Sequence, residues 1–176
     1  MVSLKQEIVQ QLPFSSLEEE ALLNLLRTAD CLQRHFQRST KEWGITGTQY
    51  NVLRILRGAH PQGLTCSAIG SRMITAEPDI TRLLARLKVL KLVRQQRDKH
   101  DRRVVWTQIS AAGLALLSKM DPFIERMPKD LLAHMSANDQ AELIRLAELA
   151  RLHCGDAPSP VSCDGKTGTI CETGAA

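Results

Sequence analysis

A mainly α fold with one two-stranded β hairpin is the class this sequence predicts, on three observations. Apolar residues recur at three- and four-residue spacing along most of the chain, the pattern of amphipathic helices. One interval departs from it: "LVRQQ" and "VVWTQIS" alternate like strands on either side of "RDKHDR". Positive charge gathers around that interval. Residues 72–103 hold ten Lys and Arg against four acids, a net +6, while the rest of the chain carries −2. Such a local field marks a binder of polyanions.

The elements follow in order. Leu4, Ile8, Val9 and Leu12 predict a short amphipathic helix stopped by Pro13. Ser16 and Glu19 form a capping-box pattern. Behind it Leu17, Ala21, Leu22, Leu25, Leu26, Ala29, Leu32 and Phe36 predict a long helix ending near Lys41, before Gly44. A second capping box, Thr46 with Gln49, opens a helix that buries Tyr50, Val52, Leu53 and Leu56 and ends by Pro61 and Gly63. Thr65 caps a short helix carrying Ala68, Ile69 and Met73, and a break follows at 74–77.

Pro78 suits the first turn of the next helix, which reaches about Leu90. Ile80, Leu83, Leu84, Leu87 and Leu90 face inward there, leaving Thr81, Arg82, Ala85, Arg86 and Lys88 outside. In the second strand Val104, Trp106 and Gln108 share one face, and Val105, Thr107 and Ile109 the other. Ser110 caps a helix with Leu114, Leu116 and Leu117, interrupted at Pro122 and continuing to about Met127. Ser136 and Asp139 open the last helix, with Leu143, Ile144, Leu146, Ala147, Leu149, Ala150 and Leu152 as its apolar positions. From Gly155 the chain is rich in Gly, Pro, Ser and Thr and reads as a disordered tail. The expected organisation is 1–43 and 111–154 as terminal helices, 44–110 as a central domain, and 155–176 as the tail.

Composition narrows the function. Hydrophobic residues make up 43% and charged residues 24%, ordinary for a soluble globular chain. No apolar run approaches the ~20 residues that span a bilayer. The opening residues lack a continuous apolar core, so no signal peptide is read and the cytoplasm is the expected location. Five cysteines (Cys31, Cys66, Cys154, Cys163 and Cys171) show no CxxC pair and no zinc spacing, which argues against a metal site or a disulfide framework. Cys31 and Cys66 read as small buried apolar residues. His35 and His60 have no partner at metal spacing. No nucleophile–base pair, phosphate loop or carboxylate cluster suggests an enzyme or a cofactor. Aromatic content of 3% leaves no stacking platform for single strands.

Helix, short helix, helix and hairpin in that order describe a winged helix-turn-helix. The helix over 78–90 is its recognition element, offering Thr81, Arg82 and Arg86 to a major groove. In the basic hairpin, Arg94 and Arg97 lie over the phosphate backbone, and an Arg at the tip suits a narrow minor groove. The expected ligand is double-stranded DNA. The rival readings are a module docking an acidic protein and, within the same fold, a thiol-responsive regulator using Cys31, Cys66 or the tail cysteines.

The strings "ITGTQYNVLRIL", "GLTCSAIGSRM", "PDITRLLARLKVLKLVRQQRDKHDRRVVWTQIS" and "AAGLALL" resemble the MarR family of bacterial transcription regulators. With the flanking helices the likeness covers residues 16–154. It implies a homodimer with interlocked terminal helices that represses transcription from a pseudo-palindromic operator. It places Asp79, Thr81, Arg82 and Arg86 at DNA-facing positions, with Asp79 steadying the helix start or orienting an Arg. At the wing it implies that Asp101 braces the turn through an ion pair with an Arg, while Arg102 or Arg103 enters the minor groove. It also implies a small aromatic or phenolic effector between the terminal helices and the DNA-binding lobe, near His35, Trp43, Tyr50 and Arg54. Two departures stand out. Lys91 occupies the place of the family's usual Gly, which suggests a different helix termination or mild strain and adds charge near the DNA. Cys31 lies too late in its helix to match the cysteine of the peroxide-sensing branch.

Overall fold

Serine and threonine hydroxyls set where most of the described helices begin, because the first amides of a helix have no partner within it. The computed structural model describes residues 2–154, and the reading of 155–176 as a disordered tail lies outside the described residues. The chain divides into two compact units that part between Tyr50 and Asn51.

In the first unit, Ser3 and Gln6 form the capping box of α1 (Leu4–Glu7). This helix is shorter than its sequence suggests. Val9 takes φ +55, and bonds from Val9 N–H to the Gln6 carbonyl (3.3 Å) and from Gln10 N–H to the Lys5 carbonyl (3.0 Å) close it. Ile8, Val9 and Leu12 therefore stay exposed instead of continuing a helical stripe. Arg27 on α2 (Leu17–Lys41) donates to Glu7 at 2.8 and 3.0 Å. The capping box expected at Ser16 is divided between two serines. Ser16 Oγ accepts the Glu19 N–H at 3.2 Å, while the Glu19 carboxylate turns to Ser15 N–H and Oγ at 2.6 and 2.7 Å. Most of the α2 apolar stripe, including Leu17, Leu22, Leu25, Leu26 and Leu32, is exposed on the single chain.

A complete capping box between Thr46 and Gln49 starts α3 (Gly47–Gly58), and Phe36 meets Tyr50 edge-on at 5.5 Å. Past the division, Val52, Leu53 and Leu56 are fully buried. Thr65 caps α4 (Cys66–Gly70), and Asn51 Oδ1 accepts the Ile74 N–H at 3.2 Å to hold the turn that follows. Then come α5 (Ile80–Val89) and an antiparallel hairpin, β1 (Val93–Arg97) with β2 (Val105–Ile109), pairing Val93 with Ile109 and Arg97 with Val105. On the other edge of β2, Leu64 and Thr107 exchange two backbone bonds of 2.9 and 2.8 Å.

Two further helices complete the described chain, α6 (Ala111–Leu132) and α7 (Ala137–Ala150), capped by Ser110 and Ser136. The expected interruption at Pro122 and end near Met127 do not occur, since α6 runs through Pro122 and Pro128. Buried Gly113, Leu117 and Met120 anchor its first half, and Asp121 receives Arg57 Nη1 from α3 at 2.8 and 2.9 Å. A proline inside a helix removes one hydrogen bond and can be accommodated without ending it. None of the α7 residues is buried, and Leu143, Ile144, Leu146 and Leu149 lie open. The architecture is a mainly helical winged helix-turn-helix, formed by α3, α4, α5 and the β1–β2 wing. Among the described residues no helix is long and apolar enough to cross a membrane.

Candidate nucleic-acid interface

The recognition helix is oriented by its leucines. Ile80, Leu83, Leu84 and Leu87 of α5 are buried, which leaves Thr81, Arg82, Ala85, Arg86 and Lys88 exposed on the opposite face. Leu90, expected inside, is about half exposed, because the helix ends at Val89 and the chain turns away at Lys91. The helix begins at Ile80, and Pro78 stands before its N-cap rather than in its first turn. Asp79 holds that cap position with a non-helical backbone, and its Oδ1 accepts the Arg82 N–H at 2.8 Å. Of the two roles expected for Asp79 at its DNA-facing position, its carboxylate takes that of steadying the helix start. Its charge also opposes the positive end of the helix dipole.

Thr81 Oγ1 lies 3.9 Å from Cys66 Sγ at the head of α4. Cys66 is half-buried and disulfide-bonded, contrary to the small apolar thiol expected there. Cys31 and Cys154 carry free, exposed thiols, where Cys31 too was expected to be buried. Among the described residues no three His, Cys, Asp or Glu side chains gather as a metal site.

The wing is held by polar side chains rather than by a core. Arg94 and Gln108 are cross-strand partners, and Arg94 Nε donates to Gln108 Oε1 at 2.8 Å. Gln108 in turn donates through Nε2 to the carbonyls of Pro61 (2.9 Å) and Gln62 (3.0 Å). One arginine placed over the backbone from sequence is therefore also part of a clamp between wing and α3–α4 loop. Arg97 ends β1 and is exposed on the alternate face.

At the tip, Asp98 organises the turn. Its Oδ1 accepts the N–H groups of His100 (2.8 Å) and Asp101 (3.1 Å), and its Oδ2 accepts Trp106 Nε1–H at 2.9 Å. These bonds hold its carboxyl below the ordinary aspartate range, the Asp101 amide foremost. Asp101 accepts the Arg103 N–H at 2.9 Å and the guanidinium at 3.1 and 3.3 Å, and the Arg103 side chain lowers its pKa in turn. Arg103 nevertheless exposes 92% of its side chain, and Arg102 beside it is also exposed. A short turn thus presents two guanidinium groups outward from a braced base.

Asp98 and Gln108 are functional supports that the sequence reading passed over. Asp98 had a signal in "DKHD", since an aspartate at a loop start readily accepts amides two and three residues on. Gln108 had none, for its acceptors lie 46 and 47 residues away. Of the four residues placed near an effector, His35 and Trp43 are half-buried, Tyr50 is buried, and Arg54 is exposed.

This arrangement has counterparts. A model of the MarR family matches residues 43–104. A MarR transcription factor from Planctomyces limnophilus is 39% identical, with a TM-score of 0.61, over 78% of this chain and 99% of that one. The HTH-type transcriptional regulator YkoM of Bacillus subtilis is 27% identical over 149 residues, covering 82% of this chain and 96% of the relative. The transcriptional regulator PcaV of Streptomyces coelicolor, solved in complex with its natural ligand, is 26% identical with a TM-score of 0.62, over 72% of this chain and 91% of that one.

Proposed function

The chain belongs to the MarR family, and on that premise we propose that it works as a homodimeric, ligand-responsive repressor of a pseudo-palindromic operator. That it is a DNA-binding transcription regulator, and not an enzyme, follows from the family itself. The observation that carries the finer reading is the polarity of α5. Four buried apolar residues fix its orientation, and Thr81, Arg82 and Arg86 project from the other side next to a wing tipped by Arg102 and Arg103.

In this reading α5 enters the major groove, where Arg82 and Arg86 read guanine edges and Thr81 reaches a base or phosphate. Arg102 and Arg103 enter the minor groove, Asp101 holding Arg103 at the required pitch. Arg94 and Arg97 run over phosphates, and Asp79 contributes by setting the helix start. The open leucines of α2 and α7 support the homodimer, since contiguous exposed apolar faces mark association surfaces. A small aromatic or phenolic acid near His35, Trp43, Tyr50 and Arg54 is the effector, a role to which the ligand complex of PcaV lends support. The protein acts in the cytoplasm.

Selection from random duplexes tests this reading, followed by a salt titration on the enriched site. An inverted repeat with half-site centres about 10 bp apart, bound with a steep salt dependence, is the expected result. Enrichment of a single unrepeated site, or binding indifferent to salt, would overturn it.

A further inference from the structure

The end of the recognition helix holds a residue whose backbone conformation does not suit it. Lys91 takes φ +59, in the left-handed region where a side chain crowds the carbonyl and glycine is favoured. It occupies the position that closes α5, with Lys91 N–H bonded to the Lys88 carbonyl (2.9 Å) and Leu92 N–H to the Leu87 carbonyl (3.0 Å). Buried Leu87 and Leu92 flank this closure. The start of α6 then locks it: Ser110 Oγ donates to the Lys91 carbonyl at 2.7 Å, and Ser110 N–H to the Leu92 carbonyl at 3.0 Å.

The backbone at Lys91 is therefore fixed, and so is the direction in which its side chain leaves. That side chain is exposed and makes no hydrogen bond or ion pair among the described residues. Lys88, in the last turn of α5, is exposed as well. A strained conformation kept for a side chain with no internal partner directs attention to an external one. The geometry points to Lys91, assisted by Lys88, as a phosphate-binding elbow between recognition helix and wing. It grips the DNA backbone and adds affinity without reading sequence. This inference rests on the α5-in-groove reading above.

Interaction of the ammonium with the negative end of the α5 dipole is the competing use of the charge. Three full-length variants separate the two. Anisotropy titrations over a range of salt use the selected duplex and a scrambled one, with thermal midpoints measured alongside. Lys91→Gly relieves the backbone and removes the charge. Its midpoint rises while its affinity for both duplexes falls roughly threefold to tenfold, and the log–log salt slope flattens by about 0.9 for each phosphate no longer neutralised. Lys91→Gln shows the same fall in affinity and slope without the rise in midpoint, and Lys91→Arg retains the slope. Wild-type affinity and slope in Lys91→Gly and Lys91→Gln would overturn the inference, as would a fall confined to the selected duplex. Salt-independent binding by the unaltered protein would instead count against the DNA reading itself.

Discussion

Asp98 accepts hydrogen bonds from His100, Asp101 and Trp106, so removal of its carboxylate leaves three donors at the wing tip to find water. Asp98→Ala is expected to loosen the tip and weaken DNA binding with little change in the thermal midpoint, because none of these groups belongs to the core. Circular dichroism melts alongside gel shifts check this. The acid response follows with a definite sign. Asp98 and Asp101 are held below the ordinary aspartate value, so their bonds stabilise the wing fully above that value, about pH 3.9, and fade as pH falls through the depressed folded one. Trp106 emission, read in a Trp43→Phe background, should be flat from pH 8 to 5 and change only under stronger acid. For base readout the expectation concerns Arg82. Arg82→Ala should cost about 1–3 kcal/mol on the preferred half-site and relax preference at one position, as competition between single-base variants would reveal.

Gly63 sits at φ +81 where the α3–α4 loop meets β2, and a Cβ there would run into the Thr107 carbonyl oxygen and the Gln108 side chain. Gly63→Ala is expected to destabilise the fold by more than the ~1–2 kcal/mol of the left-handed backbone alone, measured by urea unfolding. The elements around it show what sequence could convey. Thr46 with Gln49, Thr65, Ser110 and Ser136 with Asp139 announced their helices because a cap and its amide lie within three residues. The α5 face was readable because leucine spacing decides which side is buried. Pro122 misled, since α6 runs on through it and through Pro128, and the ion pair that ties this part of α6 to α3, Arg57 on Asp121, comes from 64 residues earlier. The left-handed turn at Val9 was equally hidden, as a β-branched residue gives no hint of that conformation. Within the candidate site the basic residues were visible as charge, whereas the clamp through Gln108 depends on carbonyls that only the fold brings near.

Across the whole molecule, the apolar stripes of α2 and α7 remain open on a single chain. Leu25 and Leu149 stand in them, 43% and 53% exposed. Leu149→Asp should leave the monomer folded, since the side chain is not in its core, yet shift sedimentation to the single chain and abolish tight operator binding. If the variant sediments as the unaltered protein does and binds normally, α7 is not the association surface. The open stripes also bear on how the regulator answers its own abundance. In the proposed dimer a partner copy covers these stripes, so association adds to the stability of an already folded chain and the melting point is expected to climb with protein concentration. At low copy number, occupancy of the promoter then scales with the square of the amount synthesised. For the proposed dimer, halving expression in that regime would leave about a quarter of the occupancy, a steeper response to protein level than a monomeric repressor gives, with no effector present.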